Sequence, residues 1–346
     1  MRILITGNLG YIGSLLEKIL RKQEPNYEIY GLDTGFYFES SLCNIEISKN
    51  QILKDIRDVS VHNLEGFDVI FHLAALSNDP LGEFSHSLTE SINLKSTVNI
   101  AKTAKDAGVT KFIYASSQSM YGISSHDDEL DEDQSNKNPL TAYARTKWEA
   151  EQELKQLISE KFNVVCFRPS TVFGVSPMLR CDIVFNNFVS CAYTTGLIEI
   201  KSDGTPIRPV VHVEDVCNAF IAGLKAPDSI TNGRSYNIGI KDGNFSVLQL
   251  AEAAIRCVPG SNLIFTGENN GDERTYKVSF RRIFDELSDW YKPQWDLDKG
   301  GLELVKFFNE IGFTEKKFRG PETNRLTCLK SLIGNSKIDS QLRWIK

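Results

Sequence analysis

The most restrictive feature of the sequence is a glycine-rich turn between an apolar run and an amphipathic run near the start of the chain. The segment TGNLGYIGS, residues 6–14, places glycines at positions 7, 10 and 13. The run RILIT precedes it, and the run YIGSLLEKIL overlaps its end. Glycines in this setting allow a tight turn, close approach of backbone N–H groups to a pyrophosphate, and close packing of a helix on a strand. The segment therefore predicts a strand, a phosphate-binding turn and a helix.

Short apolar runs alternate with longer amphipathic segments through the first half of the chain. Such alternation predicts strand-helix-strand units and a mainly parallel sheet covered on both faces, which binds ligands beyond the carboxyl ends of its strands. The predicted strands are Arg2 to Thr6, Tyr27 to Leu32, Val69 to Leu73, Lys111 to Ala115 and Val164 to Arg168, and the predicted helices begin near Tyr11, Leu88, Ala142 and Leu248.

From about Phe173 the regular alternation of apolar and amphipathic segments gives way to segments rich in Pro, Gly and Asn, with short predicted helices between them. We therefore predict a first domain over residues 1–172 and a smaller lobe over residues 173–346, some segments of which return to the sheet. The stretch beyond about Glu315 carries no pattern that places it.

Composition narrows the classes of partner. The formal net charge of -6 gives no electrostatic reason to expect a nucleic-acid or membrane partner, and no stretch is long and apolar enough to span a bilayer. The seven cysteines are scattered and never form a Cys-x-x-Cys pair, which argues against a disulfide framework or a metal site. We expect reduced thiols in a cytoplasmic protein.

An acidic residue ends the second predicted strand. Asp33 closes the run YEIYGLD, twenty residues after Gly13. A carboxylate at this position accepts hydrogen bonds from the adenosine ribose hydroxyls of a dinucleotide and repels a 2'-phosphate. The pattern therefore predicts NAD, in preference to NADP, as a cofactor.

A Tyr-x-x-x-Lys pair opens the helix that begins near Ala142. Tyr143 and Lys147 are four residues apart and share one helical face, so the lysine ammonium can lie near the phenol. A phenol titrates near pH 10, and nearby positive charge favours its phenolate. Tyr143 is thus a candidate general acid/base, and the pair follows the strand that leads into YASSQSMYG, residues 114–122.

Taken in order, these motifs resemble the extended short-chain dehydrogenase/reductases, specifically the nucleotide-sugar epimerase/dehydratase branch of the UDP-glucose 4-epimerase type. The resemblance covers nearly the whole chain and rests on TGNLGYIG, the Asp33 strand end, DIRD, HLAA, INLKSTVNI, YASSQSMYG, YARTK and RPSTVFG. It implies an α/β fold, a Rossmann doubly wound parallel sheet with a smaller mixed α/β substrate-binding lobe. It also implies NAD as cofactor, a nucleotide-diphosphate sugar as substrate, and a homodimer formed through the helices that bear Asn93 and Tyr143.

The resemblance carries roles onto individual positions. The catalytic group that it implies is Ser117, Tyr143 and Lys147. The implied cofactor contacts are Gly7, Asn8, Leu9, Gly10, Tyr11, Ile12, Gly13, Asp33, Asp55, Ile56, Leu73, Ala74, Ala75, Asn93, Ser116, Tyr143, Lys147 and Pro169. The implied substrate contacts are Ser77, Ser117, Gln118, Ser119, Tyr143, Thr171, Asn187, Arg208 and Arg274.

The family shares a first step, oxidation of a sugar C4 hydroxyl, and its branches differ in the later steps of the reaction. A 4,6-dehydratase of this family carries Asp-Glu directly after the catalytic Ser/Thr, where this chain has Gln118 and Ser119, neither of which titrates usefully. The motifs therefore favour a 4-epimerase acting through a 4-keto intermediate. A C4 dehydrogenase or 4-keto reductase uses the same residues and stays open, as does a non-catalytic NAD-sensing regulator, although the intact Ser117, Tyr143 and Lys147 argue against a regulator.

Overall fold

The structure is a computed structural model, and it describes residues 1–43, 48–124, 129–267 and 275–345. The strands of the described chain are β1 Arg2–Thr6, β2 Glu28–Asp33, β3 Gln51–Leu53, β4 Val69–His72, β5 Lys111–Ala115, β6 Glu129–Leu130, β7 Asn163–Pro169, β8 Thr171–Phe173, β9 Leu197–Ile200, β10 Ile207–His212, β11 Ser235–Ile238, β12 Asn244–Ser246, β13 Asn262–Phe265 and β14 Lys277–Val278. Within the described ranges, the largest sheet has seven strands in the order β11-β7-β5-β4-β1-β2-β3, and each neighbouring pair is parallel.

Helices cover both faces of this sheet and build much of the remaining chain. They are α1 Tyr11–Gln23, α2 Asp79–Gly82, α3 His86–Thr89, α4 Thr97–Asp106, α5 Ala142–Lys155, α6 Val184–Thr195, α7 Val213–Lys225, α8 Asp228–Thr231, α9 Val247–Cys257, α10 Arg281–Glu286, α11 Leu297–Glu310, α12 Glu315–Arg319 and α13 Arg325–Gly334. Short 3-10 turns span Phe38–Ser40, Ile56–Asp58, Val61–Asn63 and Gln118–Tyr121, and a π-helical segment spans Glu90–Ser96.

The doubly wound Rossmann-type fold predicted from the sequence is confirmed. The middle strands β4 and β5 are buried along their whole length, which is why they are continuous apolar runs in the sequence. The carboxyl ends of β1, β2, β4, β5 and β7 meet at one edge of the sheet, since all of these strands run in the same direction.

Smaller sheets lie in the second half of the chain. In the described ranges they are the three-stranded sheet β12-β10-β8 and the pairs β13-β9 and β14-β6. Strand β11 returns to the large sheet beside β7, although it follows these elements in sequence. The division of the chain at residue 172 stays a prediction.

The end of the chain packs on the large sheet. Cys328 and Leu329 of α13 belong to the same buried apolar cluster as Phe112 and Tyr114 of β5. The segment that the sequence did not place thus returns to the half of the chain that carries the glycine-rich turn.

One predicted helix is interrupted. The helix expected from Leu88 consists of α3, the π-helical segment and α4 in succession. Asn93 lies in the π-helical segment, where its side chain binds the backbone of Leu76 through both Oδ1 (2.8 Å) and Nδ2 (3.0 Å). π-Helical turns are often found at functional sites. In the described part of the chain, no helix has the length and apolar character needed to cross a membrane.

Candidate active site

A cavity of about 470 Å³ opens at the carboxyl edge of the large sheet. Most of the site residues predicted from the sequence line it. They are Gly7, Gly10, Tyr11, Ile12, Gly13, Asp33, Asp55, Ile56, Leu73, Ala74, Ala75, Ser77, Ser116, Ser117, Ser119, Tyr143, Lys147, Pro169, Thr171 and Arg208. The fold thus brings together residues that are distant in sequence.

The glycine-rich turn forms one wall of this cavity. Gly7 has a φ of +77°, and a Cβ atom built there would lie 2.7 Å from the backbone nitrogen of Ala74. A Cβ built on Gly13 would lie 2.2 Å from the carbonyl oxygen of Gly7. Because neither position accepts a side chain, the backbone of the turn stays open to a ligand.

Two residues of the turn are absent from the lining of the cavity. The Asn8 amide nitrogen donates to Glu17 at 2.8 Å and to Gln51 at 2.7 Å, on the far side of the turn. The Leu9 N–H donates to an Asp33 carboxylate oxygen at 3.2 Å. Both residues shape the turn and do not line the cavity.

Asp33 lies at the end of β2, as the sequence predicts. Burial raises the pKa of its carboxyl, while the N–H groups of Gly35 (2.8 Å) and Leu9 and the charge of Arg325 act in the opposite direction. Hydrogen bonds to the anion favour the charged form. The carboxylate faces a cavity in which ribose hydroxyls would find an acceptor.

The next acidic residue, Asp55, is already bound by arginines. Arg57 approaches its carboxylate with Nη2 at 2.6 Å, and Arg343 from the chain terminus lies at 3.2 Å. Asp55 also caps the 3-10 turn that contains Ile56. Its contact with adenine stays a prediction.

The predicted catalytic residues lie just after β5 and on α5. Thr141 caps α5 by accepting the Ala144 N–H at 3.1 Å, so Tyr143 lies in the first turn of the helix. Burial raises the pKa of Tyr143 to about 12, and the hydrogen bond with Ser117 and the charge of Arg180 oppose that rise. Both the serine and the tyrosine line the cavity, and the Ser117 hydroxyl bonds to Ser119.

Lys147 lies one helical turn further along α5. Its Nζ donates to the Ala115 carbonyl oxygen at 2.7 Å, at the end of β5. Burial lowers the pKa of the ammonium to about 7. The bond to this backbone carbonyl fixes the lysine in the cavity wall. The approach of its ammonium to the Tyr143 phenol stays a prediction.

The two residues after Ser117 face different directions. The Ser119 N–H and hydroxyl lie 3.1 and 3.0 Å from the Ser117 Oγ, and Ser119 lines the cavity. Gln118 is only 1% exposed and does not line the cavity. Its amide nitrogen donates to the carbonyl oxygens of Arg168 (2.9 Å) and Ile238 (3.1 Å), and its oxygen accepts the Ser170 hydroxyl (3.0 Å).

A buried ion pair lies beside Ser116, the residue before Ser117. The Arg168 guanidinium lies 2.5 Å from Glu151, and the Ser116 hydroxyl donates to the same carboxylate at 2.8 Å. Burial would raise the pKa of Glu151, but the charge and hydrogen bonds of Arg168 outweigh it and bring that pKa to about 2. The hydroxyl of Ser116 is therefore turned toward Glu151.

Some predicted contacts lie elsewhere or stay untested. Asn93 holds the backbone at Leu76 and does not line the cavity. The Asn187 amide donates to the Cys181 carbonyl oxygen at 3.1 Å, outside the lining residues. Arg274 lies outside the described residues, so its role stays a prediction.

Several lining residues have no counterpart in the sequence predictions. They are chiefly Tyr37, Arg180, Asp182, Tyr276 and Arg325. Arg180 and Asp182 form a charged pair two residues apart within the largely apolar stretch SPMLRCDIVF, which is a usable sequence signal. Arg325 carries no such signal, because nothing local shows that α13 returns to the cavity.

The NAD dependent epimerase/dehydratase family model matches residues 3–239 of the chain. The chain belongs to this family. It is 33% identical over 276 residues to a Bos taurus protein named dTDP-D-glucose 4,6-dehydratase, covering 75% of this chain and 74% of that protein.

Two solved structures have a fold similar to that of this chain. One is DesIV, a dTDP-glucose 4,6-dehydratase from Streptomyces venezuelae with NAD and TYD bound, at a TM-score of 0.77 and 24% identity, covering 92% of this chain and 100% of that one. The other is a UDP-glucose 4-epimerase from Thermotoga maritima with UDP-glucose, at a TM-score of 0.75 and 21% identity, covering 90% and 99%.

As a member of the NAD dependent epimerase/dehydratase family, the protein is an enzyme that uses NAD. The residues present fit that cofactor: the turn at Gly7 and Gly13 leaves room for a pyrophosphate, and Asp33 offers a carboxylate at the end of β2. Among the described residues, no group of three or more His, Cys, Asp and Glu side chains is arranged to hold a metal ion. The family name covers both epimerases and dehydratases, so the reaction must be argued from the site.

Proposed function

We propose that the enzyme is a nucleotide-sugar 4-epimerase that acts through a transient 4-keto intermediate. The observation that carries the proposal is the arrangement around Ser117. The cavity contains an acid/base pair suited to oxidation at C4, Ser117 and Tyr143, whereas Gln118 is buried with its hydrogen bonds satisfied.

In the forward step, the Tyr143 phenolate takes the proton of the C4 hydroxyl, and the Ser117 hydroxyl stabilises the developing oxyanion by hydrogen bonding. NAD, when bound, supplies the acceptor and later the donor of the C4 hydrogen. Because burial raises the pKa of Tyr143, the phenolate needs positive charge nearby, and Arg180 acts in that direction.

Inversion requires that the keto sugar present its other face before reduction. The small side chains of Ser119 and Thr171 line this part of the cavity and leave space for such a rotation. Tyr143 then returns its proton to the C4 oxygen. No net oxidation results, and no water is lost.

Dehydration needs a further acid and base, for removal of the C5 proton and loss of the C6 hydroxyl. At the two positions where dehydratases of the resembling branch carry Asp-Glu, this chain has a buried amide and a serine hydroxyl. Neither group titrates in a useful range. These positions therefore support epimerisation over dehydration, even though a relative bears a dehydratase name.

The test is incubation of the purified protein with a panel of UDP- and dTDP-linked hexoses, with products read by mass spectrometry and NMR and the cofactor by the absorbance of reduced nicotinamide. Unchanged mass with an inverted C4 supports the proposal. Loss of two hydrogens with accumulating reduced cofactor would make the protein a C4 dehydrogenase, and loss of water would make it a dehydratase.

We further propose a cytoplasmic homodimer. All seven cysteines are free thiols, which suits a reducing compartment. Helix α5 packs against the π-helical segment and α4, so these helices form one surface on which a second copy could pack. Light scattering coupled to gel filtration tests the dimer, and a monomer at micromolar concentration would contradict it.

A further inference from the structure

A cluster of two arginines and one aspartate lies in the cavity wall away from the glycine-rich turn. We call Arg180, Asp182 and Arg325 the two-arginine cluster. The Arg180 guanidinium binds both carboxylate oxygens of Asp182, at 2.8 and 3.0 Å, and its Nη1 donates to the carbonyl oxygen and hydroxyl of Ser77 at 2.8 and 3.0 Å. The Arg325 backbone N–H donates to the same carboxylate at 3.3 Å. The cluster thus holds two guanidinium groups and one carboxylate, which leaves a net positive charge.

Arg325 is the member with unused hydrogen-bonding capacity. It is 2% exposed, and its Nη2 donates to the Met178 carbonyl oxygen at 2.6 Å. Its Cζ lies 4.5 Å from the centroid of the Tyr37 ring, in a cation-π contact. Its Nη1 is buried and has no hydrogen-bond partner among the described residues. A buried charged donor without a partner is costly, so an anion at this point would be strongly bound.

The position of the cluster along the cavity indicates which anion fits. Arg325 stacks on Tyr37, which follows Asp33 and Gly35 on the loop after β2, and its charge acts on the Asp33 carboxyl. Arg180 binds Ser77 on the loop after β4, and Asp79 at the start of α2 accepts a hydrogen bond from Thr141, two residues before Tyr143. The cluster therefore lies between the ribose-binding carboxylate and the catalytic tyrosine. In a dinucleotide, the pyrophosphate is the group between the adenosine ribose and the nicotinamide ribose.

We propose that the Arg325 Nη1 donates to a pyrophosphate oxygen of NAD, and that Arg325 and Arg180 form a second, charged wall of the cofactor site that retains NAD through turnover. Guanidinium groups suit this role because they stay charged and donate in a fork that matches phosphate oxygens. The glycine-rich turn supplies backbone N–H groups, and the cluster supplies formal charge.

Contacts of the chain terminus hold this wall in place. The Arg57 Nη1 donates to the Gln341 carbonyl oxygen at 2.8 Å, and the Trp344 indole N–H donates to the Thr34 carbonyl oxygen at 2.8 Å, beside Asp33. Arg343 pairs with Asp58 as well as Asp55. Nearer to Arg325, its backbone N–H donates to Asp182 at 3.3 Å, and the Cys328 thiol contacts the Phe36 carbonyl oxygen at 3.7 Å. The start of α13 is thus fixed beside the loop after β2, which places the guanidinium before the cofactor arrives.

Retention of NAD suits an epimerase, which returns the hydrogen to the same sugar, and in this respect the inference rests on the proposed function. The contact itself needs only NAD as cofactor. A failure of the epimerase assignment would therefore show in the sugar products, whereas a failure of this inference would show in the release of the cofactor.

The test compares wild type with Arg325→Gln as purified holoenzymes. Bound NAD is chased with an excess of isotope-labelled NAD, and its release is followed by mass spectrometry. Loss of one charged hydrogen bond is expected to speed release by about 10- to 100-fold. Arg319→Gln is the matched control, because Arg319 is exposed, contacts Glu315 and Phe318 of its own helix, and does not line the cavity. Its release rate should equal that of wild type.

Two further measurements separate the outcomes. Arg325→Lys keeps the charge without the fork, and its release rate should fall between those of wild type and the glutamine variant; this variant decides the question if Arg325→Gln does not fold by circular dichroism. UDP and dTDP binding, measured calorimetrically, should be unchanged in both variants. Unchanged NAD release would overturn the inference, and so would weaker UDP or dTDP binding with normal NAD release, which would assign Arg325 to the substrate diphosphate.

Discussion

The side-chain amide nitrogen of Gln118 lies 2.9 Å from the carbonyl oxygen of Arg168 and donates a hydrogen bond to it. This bond joins the loop after β5 to β7 and turns the residue after Ser117 away from the cavity. Gln118 stands where a dehydratase of this family carries an acidic residue, and here its side chain hydrogen-bonds to strands of the large sheet.

Replacement of Gln118 by Glu is expected to destabilise the protein. A carboxylate would place oxygen against the carbonyl oxygens of Arg168 and Ile238 and would remove two donated hydrogen bonds, at a cost of about 2 to 4 kcal/mol in the free energy of unfolding. Urea unfolding measures this change, with Gln134→Glu on an exposed loop as the control. A Gln118→Glu variant as stable as the control would contradict the buried orientation.

Replacement of Tyr143 by Phe is expected to remove the general acid/base. The turnover number should fall by about 100- to 10,000-fold, the usual contribution of such a group, while NAD stays bound. Steady-state kinetics and cofactor content measure the two effects. Tyr193→Phe is the control, since the Tyr193 hydroxyl binds Asn309 on an exposed surface. Near-normal turnover in Tyr143→Phe would show that another group moves the proton.

Replacement of Asp33 by Ala is expected to weaken NAD binding by about 10- to 100-fold, because charged hydrogen bonds to the ribose are lost. The preference for NAD over NADP should shrink, since the carboxylate that repels a 2'-phosphate is gone. Equilibrium binding of both dinucleotides measures this, with exposed Asp289→Ala as the control. An increased preference for NAD would contradict the role of Asp33.

Acid is expected to destabilise the protein through His72, which lies buried between the hydroxyls of Thr6 and Thr97 at 2.8 Å from each. Burial, with a smaller effect of Lys147, lowers the pKa of His72 to about 3. The unfolded chain titrates near pH 6.5, so between these values the native state binds fewer protons and stability falls as the pH falls.

Urea unfolding at pH 6.5 and pH 5 tests this prediction. One such histidine should cost about 1 to 2 kcal/mol over that interval. The difference should be smaller in His72→Asn and unchanged in His86→Asn, because His86 is exposed. An equal loss in wild type and His72→Asn would contradict the assignment of this acid sensitivity to His72.

The sequence predicted the parts of the fold that depend on local pattern. Strands such as β4 and β5 are apolar throughout because both faces of the sheet are covered, and glycines 7, 10 and 13 mark the turn without any knowledge of distant contacts. Strand β3 was missed because it has three residues, none of them fully buried, and so no apolar run.

The rest of the site depends on contacts between distant parts of the chain. Arg325 reaches the cavity because α13 packs on the large sheet, and no local pattern encodes that return. The direction of Gln118 depends on carbonyl groups of β7 and β11, which lie 50 and 120 residues away in sequence. Composition shows which side chains are present at such positions, whereas the tertiary fold decides which way they point.

The most direct test of the proposed reaction uses a nucleotide sugar, chosen from the active members of the panel, that carries deuterium at C4. A 4-epimerase returns the hydrogen that it removes, so the product should keep its mass and show deuterium at an inverted C4 by NMR. Deuterium found at C6 of a product that has lost water would contradict this account in favour of dehydration. If the deuterium is instead found in reduced cofactor that has left the enzyme, and the product is a keto sugar, the reaction is a net oxidation and the account is contradicted.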